Sequence, residues 1–231
     1  MATISRPADI VAEFLRHRVT DPRTRYTAES DSFTATASQT VFTLTPTTGA
    51  DLVRAIKTVT VAGTAQEKWQ EYTMDLASKT VTLATGAALN DSVVITYSAS
   101  GAGEEWVYPD KPIAKMGKAK FPRVSVRVIN KTGDRAGPYT ASMVNSVHFQ
   151  VDVWTKEGYS KTVSGKRYEE QDLADYVGHL IEAAFINYVD DLYPKLYAYS
   201  ELAFGQVPFD EVSQVFRHKQ EFTLSGSNVG H

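Results

Sequence analysis

The 231-residue chain predicts an α+β fold: a helix packed on a mainly antiparallel sheet, with an inserted all-β domain that is a sandwich or a small barrel. Three observations predict it. Residues 147–154 alternate apolar and polar side chains with the period of two of a strand. Residues 172–188 place apolar side chains at helical spacing. Residues 29–101 are rich in threonine, valine, alanine and serine and fall into strand-length units.

The strand and helix of residues 147–188 are predicted to form the centre of the core. One face of the strand is apolar and comprises Val147, Phe149, Val151 and Val153, and the other comprises His148, Gln150 and Asp152. The apolar stripe of the helix comprises Leu173, Tyr176, Val177, Leu180, Ile181, Ala184, Phe185 and Ile186. We expect the helix to end near Tyr188, because Asp190 and Asp191 would oppose the negative end of its dipole. Such a core by itself indicates no function.

A short helix is predicted at the start of the chain. Pro7 suits its first turn, and Asp21-Pro22 stops it. One side of this helix is apolar and comprises Ile10, Phe14 and Leu15, so we expect it to pack on the core sheet. The predicted domains are therefore a core of residues 1–28 and 102–231 and a β domain of residues 29–101.

The β domain is predicted to contain six strands, at about Ser32–Ala37, Val41–Leu44, Ile56–Ala62, Glu71–Asp75, Thr80–Leu83 and Ser92–Ser98. Apolar side chains alternate on both sides of a small polar turn between Tyr72 and Leu83, which indicates a hairpin. A proline-punctuated linker then returns the chain to the core.

The rest of the core is predicted to be strands joined by polar loops. Val124–Ile129 alternates as a strand and is an expected antiparallel neighbour of Val147–Trp154. Turn-forming residues at Thr132–Pro138 predict a loop between them, and Lys156–Lys166 predicts a second loop before the long helix. After a tyrosine-rich stretch at residues 193–199 we expect a last strand at about Ser213–Leu224 and a loose tail, Ser225–His231.

Composition excludes several classes of protein. With 42% apolar and 22% charged residues the chain is an ordinary globular sequence, and it has no cysteine for disulfides, cysteine-based zinc sites or cysteine nucleophiles. The apolar runs are shorter than the roughly 20 residues that cross a bilayer, and the first residues lack the apolar region of a signal peptide. We therefore expect a protein made and used in the cytoplasm. A net charge of −3 is too small to predict nucleic-acid or membrane binding by the whole chain.

Charge is segregated into two segments of opposite sign. Between residues 111 and 127 there is no acid, and the cations are Lys111, Lys115, Lys118, Lys120, Arg123 and Arg127. Between residues 169 and 191 there is no lysine or arginine, and the first acids are Glu169, Glu170, Asp172, Asp175 and Glu182. Both segments are either solvated faces or the two halves of a repeated subunit interface, in which opposite potentials set the register.

The sequence holds no recognisable catalytic constellation, so we predict no catalytic, metal or cofactor site and no enzyme. Its five histidines, His17, His148, His179, His218 and His231, lack metal-site spacing. Nucleophile-elbow, phosphate-loop and dinucleotide motifs are absent from it. The tyrosines and tryptophans suit stacking platforms or, more often, cores and interfaces, with Trp106 and Trp154 as first candidates.

The order of the elements resembles that of the tail terminator, or tail-completion, proteins of long-tailed phages and related viruses. The resemblance rests on the first helix, the strand Val147–Trp154, the amphipathic helix after it, and a closing strand that contains Val215–Phe222. It covers about Thr3–Tyr26 and Phe121–Leu224. The segment Ser32–Leu44 and the residues around Thr80–Leu83 are similar to small β modules of phage tail and baseplate proteins. The β module between first helix and sheet is a departure from the compact terminator core.

The resemblance implies a structural virion protein of the tail or neck, assembled in the host cytoplasm. Such a protein forms a ring, commonly of six copies, that caps the tail-tube protein and meets the head connector or a neck protein. The basic segment then contacts either a neighbouring subunit or DNA in the channel. The alternative is another neck or tail accessory protein whose β module binds glycans or a neighbouring virion protein.

Overall fold

A computed structural model describes residues 6–47, 52–101, 103–109, 121–135, 143–192, 196–210 and 214–228. The chain divides into two compact units. Unit 1 comprises residues 1–23 and 106–231, and unit 2 comprises Thr24–Glu105. Across the described residues the fold is mixed, with two α-helices and a majority of strands in mostly antiparallel sheets, which confirms the predicted class at that level.

Unit 1 is built on a five-stranded sheet. Its strands are β8 (Val107–Tyr108), β9 (Arg123–Arg135), β10 (Met143–Lys156), β13 (Tyr197–Asp210) and β14 (Val215–Asn228), in the order β13-β14-β10-β9-β8. Neighbouring strands are antiparallel except β8 and β9, which are parallel. The predicted pairing of the strands at 124–129 and 147–154 is therefore confirmed.

Two helices accompany this sheet. Helix α1 spans Pro7–Arg18, with Pro7 in its first turn and an ion pair between Arg6 and Asp9 at that end. Helix α2 spans Glu170–Tyr188 and continues as a 3-10 turn, Val189–Leu192. The predicted end near Tyr188 is confirmed.

Four aromatic rings join the helices to the sheet. Phe149 on β10 and Phe222 on β14 stack with centroids 5.5 Å apart, and Phe185 of α2 lies 4.3 Å from Phe222. Phe14 of α1 lies 5.1 Å from Phe185. All four side chains are buried, so the predicted apolar faces of both helices and the strand meet in one core. The predicted stripe of α2 was wrong at Ile186, which is 61% exposed.

Two segments predicted as loops contain β structure. Residues 132–135 of the predicted Thr132–Pro138 loop continue β9, because they pair with residues 143–146 of β10; residues 136–138 lie outside the described part of the chain. Within Lys156–Lys166, β11 (Ser160–Val163) pairs with β12 (Lys166–Glu169). The turn between them places Ser164 and Gly165 at φ 49° and 81°, the conformation of a two-residue hairpin turn.

The carboxyl-terminal part of unit 1 is more regular than predicted. Residues 197–199 of the tyrosine-rich stretch begin β13, and residues 225–228 of the predicted loose tail belong to β14; residues 193–195 and 229–231 lie outside the described part of the chain. Each gains its structure from a partner strand, since β14 pairs with β10 on one side and β13 on the other. Pairing of this kind depends on distant residues and overrides local propensity.

Unit 2 consists of two small sheets around its own core. One sheet has the order β1-β7-β3-β4 and the other β2-β6-β5. Their strands are β1 (Thr27–Thr34), β2 (Gln39–Thr43), β3 (Leu52–Val61), β4 (Thr64–Ala65), β5 (Tyr72–Asp75), β6 (Thr80–Ala87) and β7 (Ser92–Ser100). Fourteen buried residues from both sheets form one cluster around Phe42, Ile56 and Tyr97. The predicted hairpin between Tyr72 and Leu83 is confirmed by the pairing of β5 with β6.

Two carboxylates of β1 accept hydrogen bonds from the segment that follows β2. Asp31 accepts a hydrogen bond from the Thr45 backbone N–H at 2.7 Å, and Glu29 accepts one from the Thr47 N–H at 2.9 Å. The Tyr97 hydroxyl donates to Asp31 at 3.2 Å. Burial and the nearby carboxylates raise the pKa of Tyr97, because all disfavour a phenolate. These acids therefore have a structural role within unit 2.

Candidate assembly surfaces

The predicted interface cations lie mostly outside the described residues. Lys111, Lys115, Lys118 and Lys120 all fall there. Arg123 and Arg127 are described, and both belong to β9.

Arg123 is buried inside unit 1. Its side chain is among the largest that are fully buried, and only 2% of the residue is exposed. Its guanidinium carbon lies 4.7 Å from the Phe121 ring centroid and 6.0 Å from that of Trp154. Burial lowers the pKa of Arg123, because an apolar environment disfavours the cation. A residue this deep does not fit a surface contact, so Arg123 is removed from the predicted interface.

Arg127 belongs to a polar network on the sheet face that carries the polar side chains of β10. It donates to Gln150 Oε1 at 2.5 Å, and the Gln150 amide donates to the Asp152 carboxylate at 2.8 and 2.9 Å. Arg217 donates to Asp152 Oδ1 at 2.8 Å. Gln150 and Asp152 are each only 3% exposed, so the strand predicted to be half-buried is buried on both faces at these positions. Both polar groups are satisfied by partners within the subunit.

The same face includes Trp154 of β10 and further side chains of β14. Beside Asp152, Arg217 lies over the Trp154 ring at 5.0 Å, and the Trp154 indole donates to Ser125 Oγ at 3.1 Å. Opposite Gln150 on β14, Glu221 accepts a hydrogen bond from Lys219 at 2.8 Å. That bond holds the pKa of Glu221 below its usual value.

The five predicted acids divide into exposed and engaged groups. Glu169 and Asp172 are exposed, and Glu169 pairs with Arg167, which is also exposed, at 2.8 Å. Glu170 accepts from the Gly158 N–H at 2.8 Å, and Asp175 contacts His218 Nδ1 at the same distance. Glu182 lies 3.5 Å from His179. These last three acids therefore have partners inside unit 1, although sequence alone presents all five as one acidic face.

An exposed stripe runs along α2. It comprises Asp172, His179, Ala183 and Ile186, which follow one another at helical spacing and are all exposed. We call it the outer stripe of α2. It has one acid, Asp172, at its start and one large apolar side chain, Ile186, at its end.

One close contact between α2 and the sheet was not anticipated from sequence. His218 of β14 is buried against Gly178, and Gln220 donates to the Gly178 carbonyl at 2.8 Å. The only signal in the sequence is a glycine in the middle of a long helix, which often marks close approach of another element.

Neither a scan of protein-family models nor a search of curated proteins finds a match to this chain. Function therefore rests on the residues themselves. Within the described residues, no group of three His, Asp or Glu side chains could hold a metal ion. No helix among them is long and apolar enough to cross a membrane.

Proposed function

We propose that the chain is a structural virion protein that forms a ring at the head-proximal end of a viral tail. The ring, of about six copies, caps the tail-tube protein and joins it to the head connector or a neck protein, with non-specific contact to DNA in its channel. The protein is assembled in the host cytoplasm and functions in the tail or neck of the virion.

One observation carries the proposal. Phe149, Phe185 and Phe222 come from the strand, the helix and the closing strand on which the resemblance to terminators rests, and their rings meet in one core. The three sequence patterns therefore belong to one structural unit, so the resemblance to terminators does not rest on composition alone. The outer stripe of α2 adds an exposed surface for a neighbouring protein.

The same proposal treats Thr24–Glu105 as an inserted β domain. Its support is a core of its own and a contact between the two ends of the segment. The Tyr26 hydroxyl donates to Glu105 at 2.6 Å, and Arg54 pairs with the same carboxylate while donating to Ser100 Oγ at 2.7 Å. A fragment of residues 24–105 should fold cooperatively in isolation. A fragment without a cooperative thermal transition would contradict the inserted domain.

The test of function is a capping assay with tail-tube protein and the full chain. By electron microscopy, tubes grown with the protein should be shorter and should carry a ring at one end. Glu169→Lys combined with Asp172→Lys should weaken capping, because it reverses the charge at the exposed start of α2. Glu157→Lys, at an exposed turn outside the helix, is the control and should cap normally. Tubes of unchanged length with no ring at either end would refute the proposal.

A further inference from the structure

The sheet of unit 1 has two long strands whose outer edges lack a partner among the described residues. Strand β13 is the terminal strand on one side and has 14 residues. On the other side, β8 covers only Val124 and Ser125 of β9, which leaves residues 126–135 without a neighbouring strand in the described part of the chain. Unpaired edges expose backbone hydrogen-bonding groups and readily accept another strand.

The geometry points to a second copy of this chain as the occupant: we propose that the β9 edge of one copy pairs with the β13 edge of the next. The inference rests on the proposed ring, for which it supplies the contact between copies.

Strand direction favours this pairing. The four long strands β13, β14, β10 and β9 alternate in direction, so the two edge strands run antiparallel to each other. A copy placed beside the sheet in the same orientation therefore brings its β13 antiparallel to β9, and the alternation continues across the boundary. Because the two edges are different surfaces, the contact is head-to-tail and repeats until a ring closes.

Charge favours the same partner. Apart from the buried Arg123, the sequence of strand β9 has three cations and one acid, namely Arg127, Lys131, Asp134 and Arg135. Strand β13 has no lysine or arginine and carries Glu201 and Asp210. A second β9 would bring together two strands of net positive charge, whereas β13 brings a strand of net negative charge to β9.

The β9 edge also exposes apolar side chains. Val128 is 37% exposed and Ile129 is 45% exposed, beside the irregularity in the β9–β10 register. The run Leu202–Val207 of β13 is uncharged, so it is a suitable apolar partner for this site. A strand partner thus gains apolar burial in addition to backbone hydrogen bonds.

The direction of the Val128 N–H allows a proline variant to test the contact between copies selectively. The Val124 N–H bonds to the Trp106 carbonyl at 2.6 Å, on the side of β8. Pairing with β10 is regular from Val124 to Val128, so by strand alternation the Val128 N–H also points away from β10. Proline at this position removes an outward donor and no bond within the subunit. Val128→Thr keeps the donor and the branched shape, so it is the matched control.

Sedimentation velocity of the purified full chain, over a wide concentration range, tests the pairing. Wild type and Val128→Thr should form the same oligomer. Val128→Pro should sediment as a monomer while its circular dichroism and melting temperature stay close to those of wild type. An oligomer in Val128→Pro, or a wild type that stays monomeric at every concentration, would overturn the pairing.

Charge-reversal variants of the two edge strands test the same contact if Val128→Pro does not fold. Lys131→Glu and Glu201→Lys should each weaken the oligomer, because the first lowers the positive charge of β9 and the second lowers the negative charge of β13. Oligomers as stable as the wild type in both variants would count against β9–β13 pairing. The capping assay distinguishes the two proposals. If a monomeric Val128→Pro variant still caps tubes, only the edge contact is refuted. If the wild type forms a ring that does not bind tube ends, only the tail function is refuted.

Discussion

The His218 imidazole lies so close to the Gly178 backbone that no side chain fits between them. A Cβ built on Gly178 would stand 2.5 Å from His218 Cδ2 and 2.6 Å from its Nε2. Helix α2 thus approaches β14 at a position where only glycine is accommodated.

Alanine at position 178 should therefore destabilise the protein. Overpacking costs about 1–3 kcal/mol, which exceeds the gain of up to about 1 kcal/mol from replacing a helical glycine. Urea unfolding of Gly178→Ala measures the difference. In a His218→Ala background the same change should be neutral or stabilising, because the clashing ring is gone. Equal destabilisation in both backgrounds would mean that the imidazole does not set the limit.

Two adjacent positions of α2 should respond oppositely to truncation. Phe185 contacts Phe14 and Phe222 in the core, so Phe185→Ala should cost about 3–5 kcal/mol of unfolding free energy. Ile186 is exposed, and Ile186→Ala should change that free energy by less than about 0.5 kcal/mol. Denaturant titrations of both variants test the orientation of the helix. Similar losses at the two positions would contradict it.

Buried and exposed ion pairs should also differ. Asp152, with a side chain only 4% exposed, pairs with Arg217 at 2.7 Å and accepts from Gln150. Asp152→Ala should cost about 3–5 kcal/mol, because it leaves buried polar groups without their acceptor. Glu169→Gln breaks the exposed pair with Arg167 and should cost less than about 1 kcal/mol. Chemical denaturation at neutral pH provides both values, and a near-neutral Asp152→Ala would disprove the network.

Glu221 should contribute to the loss of stability in acid. Its hydrogen bond from Lys219 holds the pKa of Glu221 below its ordinary value of 4.5 in the folded state. The folded protein thus favours the carboxylate, and the resulting stability is present above pH 4.5 and lost as the pH falls through the folded pKa. Lys219→Met should raise that pKa in a carboxyl NMR titration and make stability less dependent on pH below 4.5. An unchanged titration would show that Lys219 is not the cause.

The parts of the fold that sequence predicted are those whose pattern is local. The apolar alternation from Val147 to Val153 and the spacing of Leu173, Val177 and Phe185 are visible in the chain itself, and those residues are buried as expected. The β5–β6 hairpin was predictable for the same reason. The long pairing of residues 132–135 and the strand β13 depend on partners far away in sequence, and turn-rich or tyrosine-rich composition concealed them.

The candidate surface was less predictable than the core. A run of cations predicts a solvated segment, but whether one member is enclosed depends on rings contributed by other elements, as Phe121 and Trp154 enclose Arg123. Glu169 ends β12 and Glu170 begins α2, so these adjacent acids have different environments, and only Glu170 of the two accepts the Gly158 N–H. The free sheet edges are properties of topology, which the sequence does not display.

The central claim is that copies of this chain assemble into a ring at the end of a tail tube. Particle mass in solution, measured with and without tail-tube protein, tests it most directly. The account predicts one discrete closed oligomer, of about six copies, that binds tube ends and stops their growth. A chain that remains monomeric under both conditions and never joins a tube end would contradict it.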